Sequence, residues 1–217
     1  MALVIGTNCG FVTAAPTTDP LGQGNSNLSG YSLGIKCTSP ATATKVTEIG
    51  FWVDGMAEGD NTNGEVAIYS HDSENNKPDE IIGVVRTNDI DSTGWQNIST
   101  DITISGSTTY WICVQVDTAE HNMTGNYQGI AGEYEVDSSW PQTTLVTPWN
   151  DDGDTYLGYT YGVYAVWEAA AAADTVTQIN IGDTWKEIEG MKINIGDVWK
   201  TVEGLQVNIG DDWKTVF

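Results

Sequence analysis

Cations are scarce in this chain. Only 8 of its 217 residues are Lys or Arg, against 30 Asp or Glu, for a formal charge of −22. Phosphate backbones are held by clustered cations, so nucleic acid is excluded as a partner. An anionic membrane surface is disfavoured for the same reason. Long apolar runs are also missing: none approaches the roughly 18 residues of a membrane span, so no membrane insertion is expected. The opening Met-Ala-Leu-Val-Ile-Gly stops being apolar at Gly6, and the first cation is Lys36. That is not a secretory signal, so release by lysis or retention inside the cell is expected.

Cysteine and histidine are equally sparse. Cys9, Cys37 and Cys113 match no zinc spacing. Cys113 lies in a strand-like run and reads as a free thiol; Cys9 and Cys37 would pair only if their strands are neighbours. The two histidines, His71 and His121, belong to no His-Glu-x-x-His, and no Gly-x-Ser-x-Gly elbow exists. His71-Asp72 reads as the start of a turn. Chance pairs among 30 acids carry no glycosidase signal. The expectation is a protein that is not an enzyme. Asn-x-Ser/Thr triplets at Asn27, Asn97 and Asn122 are about what composition alone supplies, and say nothing of glycosylation.

What is present is β-structure. Ile49, Phe51 and Val53 alternate with Gly50, Trp52 and Asp54; Glu65 to Tyr69, Ile102 to Ile104 and Tyr110 to Val116 continue the theme. Ile81 to Val85 reads as a buried strand, and Tyr159 to Trp167 closes the set. Gly- and Asn-rich turns separate these runs. Many short strands with turn signals predict an all-β fold, a jelly-roll-like β-sandwich over 1–167. An Ala-rich linker follows over 168–175, too short for a stable helix.

Residues 176–217 hold three copies of a fourteen-residue unit. Ile-Gly-Asp-x-Trp-Lys recurs, with Trp185, Trp199 and Trp213 in step with Gly182, Gly196 and Gly210. Each period predicts two strands of about five residues and two tight turns, forming a small meander. A unit this small cannot own a core, and each Trp needs on the order of 150–250 Å² of cover. The tail is therefore read as an assembly device, with Ile181, Trp185, Ile195, Trp199, Ile209, Trp213 and Phe217 as its contact residues. The expected partner is the chain itself, as a closed trimer or by head-to-tail strand donation. The alternative is a tail folded back on its own sandwich.

Two binding sites are suggested. Trp95, Trp140 and Trp149, with Tyr127 and Tyr134, fall in or near predicted loops, where flat rings beside Asn and Asp make a carbohydrate platform. Asp151, Asp152 and Asp154 surround Gly153. Calcium takes six to eight oxygens, and a glycine lets a loop close around it, so Ca2+ is the one cofactor suggested. The full twelve-residue calcium loop is absent, and Glu58 to Glu65 is a second acidic loop. Solvated turns are the plainer reading of both.

The opening Met1 to Pro20 resembles the start of virus-associated structural proteins from phage and environmental genomes. So do Val46 to Trp52, Ile68 to Asp72 with Lys77-Pro78 and Gly94-Trp95, and Thr108 to Ile112. The resemblance covers 1–167 and also touches jelly-roll modules similar to carbohydrate-binding sandwiches. The terminal repeats look like tails of phage-type fibre, tail or capsid-surface proteins. The resemblance implies a structural subunit of a virion or extracellular filament, with other virion proteins and host surface glycans as further partners; the competing reading is a carbohydrate-binding adhesion module. It supplies no catalytic residue. Cys9 and Cys37 stand where small polar residues are expected.

Overall fold

The computed structural model describes residues 2–21, 24–28, 30–55, 62–117, 124–138, 144–149 and 155–170, together with the strands of the tail. Those residues form strands and no helix. Residues 1–170 and 171–217 are two separate units.

In the first unit, β1 (Gly10–Val12), β4 (Ala43–Val53), β7 (Gly94–Thr103) and β11 (Val163–Ala169) make a four-stranded sheet in the order β1-β11-β4-β7. The other sheet holds β2 (Gly24–Asn27), β3 (Ser32–Thr38), β5 (Thr62–Asp72), β6 (Lys77–Ile90), β8 (Thr109–Val116), β9 (Thr124–Ser138) and β10 (Thr155–Tyr161). Its order is β10-β9-β3-β8-β5-β6, with β2 also on β9. The chain changes sheet at β1–β2, β3–β4, β4–β5, β6–β7, β7–β8 and β10–β11, wrapping one sheet over the other. β1 and β11 lie side by side in parallel, unlike the antiparallel pairs around them.

The alternation read from β4 is the alternation observed. Ile49, Phe51 and Val53 are buried, and Glu48 and Trp52 are partly exposed. Ile98 and Ile102, Val163 and Ala165 join them from the same sheet, facing Leu33, Ile35, Val66, Ile68, Ile112 and Val114. Each such Val, Leu, Ile or Phe side chain contributes about 1.5–3 kcal/mol by leaving water.

Three expectations are corrected. Ile81 to Val85 is not a buried strand: β6 is the sheet edge, and Ile82 and Val84 are exposed. Ile82 falls at the register break between Ile68↔Gly83 and Tyr69↔Ile81, so it has no cross-strand partner. Tyr159 to Trp167 is not one strand. It breaks at Gly162, and β10 and β11 belong to different sheets. The linker does not begin at Glu168, because Glu168 and Ala169 pair with Lys45 and Ala43 and extend β11.

In the second unit, β12 (Gln178–Ile181) pairs β13 (Thr184–Glu187), β14 (Lys192–Ile195) pairs β15 (Val198–Thr201), and β16 (Gln206–Ile209) pairs β17 (Asp212–Thr215). The repeats share one register: Trp185, Trp199 and Trp213 stand opposite Asn180, Asn194 and Asn208. Among the described residues these are three separate two-stranded sheets, not one meander.

Candidate functional site

β9 helps to build a concavity of the sandwich. Its ladder to β3 stops at Ile35↔Glu135, while β3 stays on β8 as far as Thr38↔Thr109. Further back, β9 pairs β2 through Thr124 to Tyr127. The N-terminal loop enters this gap. Buried Asn8 ties the loop: its Oδ1 accepts from the Val4 N–H at 2.7 Å, and its Nδ2 donates to the Ala2 carbonyl at 3.0 Å. The Leu3 N–H donates to Gln128 Oε1 at 2.7 Å.

The result is a cleft of about 570 Å³. Lys36, Thr38, Thr109, His71 and Glu133 supply its polar wall; Ile5, Phe11, Pro40 and Cys37 line the rest. Lys36 Nζ donates to Asn76 Oδ1 at 2.7 Å. Burial lowers the Lys36 pKa, and the Glu133 charge opposes that shift. The Thr38 and Thr109 hydroxyls lie 3.4 Å apart. Cys9 and Cys37 are both buried and free, so no disulfide joins the N-terminal loop to β3. Burial pushes the Cys9 thiol up to about 12, and Cys37 is raised as well. Neither is a nucleophile at neutral pH. Cys113 is a free buried thiol, as its strand predicts.

The outer face of the seven-stranded sheet carries a second apolar cluster. Tyr69, Trp111, Cys113 and Val136 are covered by Leu145 and Trp149. Residues 144–149 form a strap across the sheet, pinned at several points. The Leu145 N–H donates to Glu65 Oε2 at 2.6 Å, the Tyr69 hydroxyl donates to the Val146 carbonyl at 2.7 Å, and the Thr147 hydroxyl donates to Glu80 Oε2 at 2.8 Å. Trp149 meets Tyr69 edge to face at 5.4 Å and is 3% exposed. It therefore offers no ring to a sugar, correcting the expectation for that residue: the strap turns its indole inward.

The outer face of the four-stranded sheet holds Trp95. Its ring lies 5.4 Å from Trp52 and 5.2 Å from Tyr164, both edge to face, and its Nε1 donates to the Thr18 carbonyl at 3.0 Å. Tyr164 lies flat over Gly50, where a Cβ would come within 2.4 Å of the phenol ring. Its hydroxyl is 2.5 Å from Glu48 Oε1 and 2.7 Å from Asn97 Oδ1. One phenolic proton serves one acceptor at a time. Turning the Asn97 carboxamide end for end lets its amino group donate to the phenol and leaves the phenolic proton to Glu48. Burial, then the Glu48 bond, raises the Tyr164 pKa. Trp95 is thus locked among neighbours inside β7, and Tyr127 and Tyr134 lie in β9 rather than in loops.

Trp140, His121, Phe217, the loop ahead of Thr62 and the proposed calcium ligands Asp151, Asp152 and Asp154 lie outside the described residues. Among the described residues no group of three or more His, Cys, Asp or Glu could hold a metal. Of the tail contacts, Ile181, Ile195 and Ile209 end the first strand of each hairpin, and Trp185, Trp199 and Trp213 lie in the second.

Lys36, Glu133, Trp52 and Tyr164 were not singled out from the sequence. Trp52 and Tyr164 each stand next to core positions on a strand, which signals an outward side chain. Nothing in the sequence signals the parting of β3 and β9. Comparison of the chain with protein-family models, with curated proteins and with solved structures finds no match.

Proposed function

We propose that this chain is a non-enzymatic structural subunit of a virion or extracellular filament, of capsid-surface, tail-fibre or tube type, that joins its own copies through the C-terminal β-repeats. The carrying observation is the second unit: three hairpins of four-residue strands in one repeated register, separate from the sandwich. A lone two-stranded hairpin is marginally stable in water at best. Among the described residues each also leaves unpaired N–H and C=O groups along its edges, which template pairing with another chain. A repeated element with open edges and no room for its own core is completed by further copies of itself.

The sandwich fits the role of a self-sufficient body. It has a continuous core between its sheets and a strap over one outer face. A charge of −22 keeps such bodies apart except where the tails join them. Electron microscopy of the full-length protein tests this: closed rings or continuous fibres are expected, and the form seen distinguishes trimeric closure from head-to-tail donation. A field of uniform single sandwiches at micromolar concentration would refute it.

A further inference from the structure

We infer that the cleft between β3 and β9 is a binding site for one sugar residue of a glycan. This goes beyond the assembly reading and does not depend on the tail.

Three observations define the ligand class. The first is size: about 570 Å³ lies within the range of small-molecule sites and is too small for a folded partner. The second is charge. Lys36 is already bonded to Asn76 and acts against Glu133, so the wall is close to neutral and selects neither an anion nor a cation. The third is hydrogen-bonding character. The paired hydroxyls of Thr38 and Thr109 each donate and accept, and after sharing one proton they keep another for a ligand. Glu133 adds a carboxylate acceptor, and Ile5, Phe11 and Pro40 add apolar surface beside it.

An apolar ligand would strip water from Lys36 and Glu133 without replacing it, which is costly. A pyranose matches the wall: it is uncharged, its hydroxyls both donate and accept, and its C–H face covers the apolar side. Adjacent hydroxyls of one sugar would donate together to Glu133, and another would complete the Thr38–Thr109 pair.

Full-length protein on a glycan array, followed by calorimetric titration with the retained glycans and their free monosaccharides, tests this. Retention of neutral glycans is expected. Glu133→Gln, and separately the double change Thr38→Val with Thr109→Val, should weaken binding about tenfold or more. That is the loss of one hydrogen bond to a charged or paired group. Thr38→Trp, whose indole fills the cleft mouth, should abolish binding with the circular dichroism spectrum unchanged. No glycan bound at about 1 mM overturns the inference. So does binding that survives all three variants, or binding lost in Trp52→Ala, which would place the ligand on the outer face of the four-stranded sheet.

Discussion

The indole N–H of Trp111, a residue with no exposed surface, donates to His71 Nδ1 at 3.1 Å. The bond requires His71 Nδ1 to be unprotonated, so it ties the cluster beneath the strap to the protonation state of one imidazole. Burial, and after it the Lys36 charge, hold the His71 pKa below the ordinary imidazole value, against the weaker opposing effects of Asp72 and the Lys77 backbone.

A pH dependence follows. The unfolded chain takes up a proton near the ordinary pKa of about 6.5, and the folded chain resists it. The stability is therefore fully present above about 6.5 and is lost as pH falls below it. The melting temperature should drop between about pH 7 and pH 5. His71→Gln, which still accepts from the indole but does not titrate, should flatten that slope. An unchanged slope in this variant would assign the effect to other groups.

Glu65 is the strap's main anchor. It accepts the Leu145 N–H through Oε2 and meets Arg86 Nη1 at 3.5 Å through Oε1, while Arg86 also bridges to Asp117. Glu65→Gln should cost about 1–3 kcal/mol, mostly from the weakened bond to the backbone of buried Leu145. The near-ultraviolet signal of Tyr69 and Trp149 should broaden in the same variant, measured by circular dichroism.

Gly50 is required by a close approach. A methyl group there would sit inside the Tyr164 ring and push the phenol off Glu48 and Asn97. Gly50→Ala should destabilise the sandwich by about 1–3 kcal/mol in urea unfolding. Tyr164→Phe removes the hydroxyl without the clash and should cost about 1 kcal/mol.

The fold was legible where one face of a strand is buried. In β4 the alternation of Ile49, Phe51 and Val53 with Glu48 and Trp52 reports directly on a core side and an outer side, whereas β8 is buried on both faces because the strap cluster covers Trp111 and Cys113. Neighbours within a sheet are not written that way. Ile81 to Val85 has the composition of a central strand but occupies an edge. The run from Tyr159 to Trp167 divides at Gly162 because its halves pair with β9 and β4. The cleft was illegible for a related reason: it exists because two ladders end at different residues, which side-chain chemistry does not encode. Aromatic residues near turns misled as well. A strap turned Trp149 inward, which composition does not reveal. The repeats were legible as hairpins because Gly-Asp falls between paired Ile181 and Thr184, and again in both later copies.

The central claim is that residues 171–217 connect subunits and residues 1–170 do not. Light scattering coupled to size exclusion on the full-length chain and on a chain ending at Ala170 measures this directly. The full-length chain should elute as an oligomer or polymer. The shortened chain, which keeps all of β11, should be a folded monomer with its melting temperature within a few degrees of the parent. A shortened chain that remains fully assembled would contradict the account and move the interface onto the sandwich.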